Sequence, residues 1–171
     1  MEDNYKAYLQ HITTFVFDID GVLTEGLVMI TSDGELLRSM TVRDGYAIKT
    51  AIRKGYRVCA ISGGLNKGVT SRLNGLGITD VFLGVEDKLT QLLAYLETHA
   101  IRAENVLYMG DDIPDLSPMR HVGLPCCPND AVAEIKEICS YISHKNGGKG
   151  CVRDVIEQVL KVQGNWTGKP D

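Results

Sequence analysis

Short runs of β-branched and aromatic residues alternate along this chain with amphipathic stretches, and that alternation restricts the fold more than any other feature. Residues 13–17 (TTFVF), 57–61 (RVCAI), 80–83 (DVFL) and 106–109 (VLYM) read as strands, as does a weaker run at 122–124. Residues 44–54, 67–76, 88–99, 131–138 and 152–162 read as helices. Gly55 supplies a C-terminal stop for the first, and the last places Val155, Ile156, Val159 and Leu160 on one face. The alternation predicts an α/β fold with a mostly parallel sheet covered by helices on both faces. With 171 residues, 44% of them hydrophobic and 23% charged, the chain is long enough to bury a real core, and one domain is expected over 1–171.

One segment breaks the alternation. Residues 27–30 and 35–42 read as two strands around the turn Thr31-Ser32-Asp33-Gly34. A hairpin over about 27–42 carries Leu27, Met29, Leu36, Leu37 and Met40, and a lone hairpin needs something to pack on. It is therefore expected to act as a flap or an interface. The tail over about 163–171 is Gly-rich and holds the only Trp, Trp166.

In open parallel sheets, ligands collect at the carboxyl ends of the strands. After the first expected strand come Asp18 and Asp20, followed by Gly21 and Thr24; after the second, Ser62, Gly63 and Gly64. Beyond the third comes Lys88, and after the fourth Gly110, Asp111 and Asp112, with Asp115 on the next turn. Carboxylates, a hydroxyl beside flexible glycines, and an ammonium suit a phosphate ester and a divalent cation. Asp18 and Asp111 offer the hard oxygen ligands that Mg²⁺ prefers. One carboxylate can attack phosphorus while a second protonates the leaving alkoxide and later deprotonates water. The Ser62 hydroxyl, the Gly63 amide and Lys88 can hold phosphate oxygens.

In this order the four segments resemble the four motifs of the haloacid dehalogenase (HAD) phosphatase superfamily, and they span residues 18–115. The resemblance implies a three-layer Rossmann-like fold with Asp18 as nucleophile and Asp20 as general acid/base. It implies Mg²⁺ held by Asp18, Asp111 and the Asp20 main-chain carbonyl, phosphate held by Ser62 and Lys88, and support from Asp112 and Asp115. No helical cap domain fits after the first motif; only the hairpin does. Asn146 to Asp154 (NGGKGCVRD) and Arg43-Asp44-Gly45 are similar to segments of one capless subfamily. That subfamily contains the 3-deoxy-D-manno-octulosonate 8-phosphate (KDO 8-phosphate) phosphatases and the related KDN 9-phosphate phosphatases. By this resemblance the substrate is a sugar-acid phosphate, KDO 8-phosphate first, in lipopolysaccharide sugar biosynthesis. KDN 9-phosphate or N-acetylneuraminate 9-phosphate is the alternative. The resemblance also implies a homotetramer whose hairpins associate, with a neighbour roofing the site and the tail of a neighbour reaching it.

Two positions depart from the subfamily. Gly64 stands where members often carry a charged residue; Glu there goes with the nine-carbon substrates, so Gly64 favours KDO 8-phosphate. Asp154 replaces the more usual Glu. Arg43, Lys67, Arg72 and Lys149 are substrate-binding candidates on charge alone, Arg43 with a local salt bridge as an equal alternative, and Gly64 belongs to the same set by position.

The net charge of −4 and pI near 5.6 give no footprint for nucleic acid or an anionic membrane. No apolar run approaches a membrane span, and the first residues lack a signal-peptide core. Five cysteines without ligand spacing read as reduced residues of a cytoplasmic protein, and the four histidines lack ligand spacing too. A phospho-accepting receiver or signalling module shares the acids, the hydroxyl and the lysine. Its phosphorylated Asp, however, follows the third strand and its metal acids the first, which does not match the order here. A non-catalytic HAD domain is disfavoured by the intact acid set, and a dehalogenase by Asp20, an acid that C–Cl displacement does not require.

Overall fold

The computed structural model describes residues 5–166. A short helix α1 (Lys6–Leu9) precedes β1 (Thr14–Phe17), and the loop after β1 leads into a hairpin of β2 (Met29–Ile30) and β3 (Leu36–Leu37). Strand and helix then alternate: α2 (Val42–Arg53), β4 (Arg57–Ile61), α3 (Lys67–Gly75), β5 (Asp80–Phe82), α4 (Lys88–Thr98) and β6 (Val106–Met109). The chain continues through α5 (Leu116–Met119), β7 (Leu124–Cys127), α6 (Ala133–Ile138), β8 (Tyr141–Ile142) and α7 (Cys151–Val162). Six strands form one parallel sheet in the order β5-β4-β1-β6-β7-β8. Strand order reverses around β1: the chain winds outward to β5, and α4 then carries it back to β6 on the other side. The carboxyl end of β1 is thus the switch point where a crevice opens.

Period-two alternation builds a core on each face of the sheet. Phe15, Phe17, Val58, Ala60, Leu107 and Met109 pack with apolar residues of α2, α3 and α7. Val16, Cys59, Ile61, Val106 and Tyr108 pack with α4, α5 and α6. The central strands are buried on both faces, which is why they read as continuous apolar runs rather than alternating ones.

The sequence misplaced one strand and overlooked another. The run expected at 122–124 lies at Leu124–Cys127 instead, and β8 follows it at the sheet edge. Pro125 argues against a strand because it has no N–H to donate. Its carbonyl still accepts from Ser140 N–H at 2.9 Å, and Cys126 and Cys127 fill the interior beyond it. A hairpin forms within the expected segment, but its strands are only two residues each, with Met29 opposite Leu37 and Ile30 opposite Leu36, and α2 begins at Val42, inside the run expected as the second strand; all four paired residues are exposed.

Asp44 ties the two longest helices together. It sits on α2, is 2% exposed, and its Oδ1 accepts the Arg153 N–H at 2.8 Å in the first turn of α7. Gly150, the residue before α7, gives no side-chain cap, so a carboxylate remote in sequence does that work. Oδ2 has no partner, and burial pushes the Asp44 pKa up to about 6 despite the amide contacts. A folded-state value above the unfolded one means that this stability is fully present only below the unfolded value of 3.8 and is lost as pH rises from there through about 6. Asp44→Asn removes that titration. Denaturant unfolding at pH 4 and pH 7 should show the variant gaining on wild type by about 2 kcal/mol between the two. A pH-independent difference would contradict this assignment.

Candidate active site

The loop after β1 turns sharply because Gly21 adopts φ +95°, and a Cβ at this residue would collide with the Asp111 carboxylate. Thr24 fastens the turn: its Oγ1 accepts the Gly21 and Gly26 N–H groups at 3.3 and 3.2 Å and lies 3.5 Å from Asp20 Oδ1. The Gly147-Gly148 segment supports the loop from behind. Gly148 N–H donates to the Val22 carbonyl at 2.9 Å, and a Cβ on Gly147 would strike the Gly21 carbonyl. These glycines are therefore a packed support rather than a free loop, and the close backbone approach excludes any side chain.

The strand ends converge on a cleft of about 400 Å³ walled by Asp18, Asp20, Ser62, Lys88, Asp111 and Asp115. Lys88, the first residue of α4, is 6% exposed. Its Nζ lies 2.9 Å from Asp18 Oδ1 and 2.7 Å from Asp115 Oδ1. Burial opposes the ammonium, but Asp115 and Asp18 outweigh it and hold the Lys88 pKa above its usual value. An ammonium has three N–H donors, so one remains for a ligand oxygen. Asp115 is further fixed by the Tyr108 hydroxyl at 2.9 Å and the Asp111 N–H at 3.2 Å. Ser62 is 3% exposed, and its Oγ accepts the Gly64 N–H at 3.2 Å. Asp112 caps the following turn through Ile113 N–H at 2.7 Å.

Asp18, Asp111 and Asp115 bring carboxylate oxygens within 4.8 Å of one another. Burial, then the Asp115 charge, pushes Asp18 up to about 6. Burial, Asp18 and Asp115 push Asp111 up to about 8. Asp111 Oδ1 is buried without a hydrogen-bond partner. Self-repelling carboxylates and an orphaned oxygen fit a hard divalent cation. All three carboxylates could hold such an ion; Asp115 already accepts three protein donors, which leaves Asp18 and Asp111 with more free acceptor capacity.

The other candidates scatter. Gly64 borders the cleft, and Arg72 lines a neighbouring groove. Arg43 and Lys67 are exposed in the first turns of α2 and α3, and Arg43 makes no ion pair among the described residues. Lys149 is taken up by Glu25 at 2.8 Å. Trp166 packs against this chain's own Tyr46 and Arg153, with ring centroids 6.1 Å apart and the guanidinium 5.5 Å from the Trp ring. The tail beyond it, 167–171, lies outside the described residues.

Sequence reasoning missed Arg38. It projects from the hairpin and forks onto Asp20, with Nε 2.6 Å from Oδ1 and a terminal nitrogen 3.0 Å from Oδ2. Its being the only basic residue of the hairpin was the available signal.

Residues 74–156 match the haloacid dehalogenase-like hydrolase family. The 3-deoxy-D-manno-octulosonate 8-phosphate phosphatase of Escherichia coli K12 is 38% identical over 158 residues, 92% of this chain and 84% of that protein. The crystal structure of the Yersinia pestis phosphatase of that name superposes with a TM-score of 0.94 at 34% identity, covering 97% of this chain and 90% of that one. The Moraxella catarrhalis enzyme, solved with magnesium, phosphate and KDO, gives 0.91 at 32% identity over 94% and 92%. Together with the converging strand ends, these matches show that the chain belongs to the haloacid dehalogenase-like hydrolases, in the family of the 3-deoxy-D-manno-octulosonate 8-phosphate phosphatases.

Proposed function

We propose that this protein is a Mg²⁺-dependent phosphomonoesterase that hydrolyses KDO 8-phosphate to KDO and phosphate, and that 1–171 works as one catalytic unit. The observation that carries the reading is the buried Lys88 ammonium shared by Asp18 and Asp115 on the cleft floor. The relatives named for this activity and the Moraxella complex with magnesium, phosphate and KDO support the substrate. Position 64, beside Asp20, is Gly rather than a charged residue, which favours KDO 8-phosphate over nine-carbon substrates.

Asp18 is the nucleophile. Its carboxylate attacks phosphorus as the ester P–O bond breaks, giving an aspartyl-phosphate, and Asp20 gives its proton to the departing alkoxide. Asp20 then takes a proton from water, which attacks the phosphorus, frees phosphate and restores Asp18. Lys88 holds Asp18 Oδ1 and has one donor for a phosphate oxygen, while the Ser62 hydroxyl and the Gly63 amide offer further donors. Asp18, Asp111 and the Asp20 carbonyl would hold Mg²⁺, which neutralises phosphate charge and polarises the phosphoryl group when bound. Asp115 positions Lys88, and Asp112 shapes the turn that carries Asp111 and Asp115.

The protein acts as a homotetramer joined through its hairpins. Leu27, Met29 and Ile30 are 70–75% exposed, a concentration of apolar surface that a neighbouring copy would cover. Five unpaired cysteines accord with the cytoplasm. Among the described residues no helix is long and apolar enough to cross a membrane.

Asp18→Asn should lower kcat by roughly 10⁴-fold or more while the melting temperature holds; full activity would refute the nucleophile. A kcat/KM panel over KDO 8-phosphate, KDN 9-phosphate, N-acetylneuraminate 9-phosphate and hexose phosphates should favour the first, with a tetramer mass in parallel size-exclusion measurements. Saturating Mg²⁺ should raise Tm more at pH 8 than at pH 5.5. At the lower pH the cation must displace protons from Asp18 and Asp111, whose pKa values stand at about 6 and about 8. A hundredfold excess over Kd contributes about 2.7 kcal/mol, or roughly 5–10 °C for a protein of this size. Equal shifts at both pH values would remove these acids as ligands.

A further inference from the structure

Three carboxylates share the floor of the cleft, and their own chemistry does not tell them apart. Asp18, Asp111 and Asp115 bring oxygens within 4.8 Å of one another, so each could turn toward a cation. Asp115 nevertheless faces Lys88, with Oδ1 2.7 Å from Nζ. Its surroundings account for that choice.

Tyr108 lies on β6 and is 0% exposed, among the largest side chains wholly inside the protein. It belongs to the core on the α4, α5 and α6 face of the sheet, with Val16, Cys59, Leu92 and Met119. Its one polar side-chain group, the hydroxyl, donates to Asp115 Oδ1 at 2.9 Å. Lys88 Nζ reaches the same oxygen from the start of α4, while the Asp111 N–H reaches Oδ2 at 3.2 Å. Against the carboxyl group stands Gly110, where a Cβ would come within 2.4 Å of Asp115 Cβ and Cγ. Backbone therefore blocks the carboxylate on one side, and two donors on one oxygen resist its rotation. Of these contacts the Tyr108 hydroxyl alone can be deleted without removing a charge or altering the backbone.

We propose that Tyr108 is a positioning residue for phosphoryl transfer: its hydroxyl reserves Asp115 for Lys88, and so keeps that ammonium on Asp18 and its third N–H on the phosphate. The proposal rests on the phosphatase reading and deepens it. Without the hydroxyl, Asp115 Oδ1 keeps one side-chain donor instead of two, and the carboxylate is free to turn toward Asp18 and Asp111. Lys88 then loses a fixed counter-charge, and the nucleophile it holds loses its fixed position. Small misplacements of a reacting group cost large factors in rate. The effect arises at the phosphate, the end that all ester substrates share, so it does not depend on the leaving group.

The test uses full-length enzyme with saturating Mg²⁺ on KDO 8-phosphate and on phenyl phosphate. Tyr108→Phe keeps the buried ring and deletes one oxygen. Its kcat should fall about tenfold to a hundredfold, by the same factor on both esters, the size expected for one hydrogen bond to a charged group. KM should stay nearly unchanged, as for an interaction that matters in the transition state. Calorimetric titration with Mg²⁺ should give a Kd no weaker than that of wild type, because the substitution frees a carboxylate and removes no ligand. Since Tyr108 acts through Asp115, Tyr108→Phe should cost nothing further in an Asp115→Asn background. An unchanged kcat, losses that differ between the esters, a weaker Mg²⁺ Kd, or losses that multiply in the double variant would overturn the proposal while the phosphatase reading stands. A wild-type enzyme that turns over neither ester would overturn both.

Discussion

The buried ammonium of Lys88 is the interaction on which the rest of the site depends. It meets Asp18 from β1 and Asp115 from beyond β6, so one charge holds two strand ends in register around the switch point. Each partner would be unfavourable alone in that position. Asp18 and Asp115 are 6% and 1% exposed, and an unpaired buried charge of this kind costs about 3–5 kcal/mol. The Tyr108 hydroxyl and the Asp111 amide add two further donors to Asp115, which hold it in place as a counter-charge to Lys88. Asp18 and Asp111 are left with oxygens facing one another, and that residual repulsion is what a divalent cation relieves.

The surrounding loops are shaped to keep this arrangement still. Gly147 and Gly148 let two backbone segments approach more closely than any side chain would allow, so the loop bearing Asp18 and Asp20 is clamped from behind by a segment about 125 residues later in the chain, while Gly21 leaves room for the Asp111 carboxylate. Asp44 ties α2 to the start of α7, the helix that follows those glycines. Motifs that resemble binding signatures in one dimension thus include parts whose work is support. In the Arg43-Asp44-Gly45 segment the middle residue is a buried helix tie, and Lys149 faces Glu25 rather than the cleft.

What the sequence disclosed follows from what is local. The strands buried on both faces announced themselves as apolar runs, and the residues directly after them had to lie at one edge of the sheet. Asp18, Ser62, Lys88 and Asp111 could therefore be brought together from their places after those runs. β7 was misplaced because Pro125 signals a break, and β8 is too short to carry a pattern. Arg38, and the tie that Asp44 makes, escaped notice for a different reason. Each is defined by a partner that only tertiary folding delivers, Asp20 across the hairpin and the α7 terminus 109 residues away. Neither spacing nor composition encodes those meetings.

The account stands on Asp18 as the group that receives the phosphoryl moiety while Lys88 holds it in place. The most direct measurement is mass spectrometry of enzyme rapidly quenched in acid during turnover of KDO 8-phosphate with Mg²⁺. The account predicts one phosphoryl group per chain on the peptide that contains Asp18, absent from Asp18→Asn. Turnover with no labelled peptide, or a label on any other residue, would contradict it.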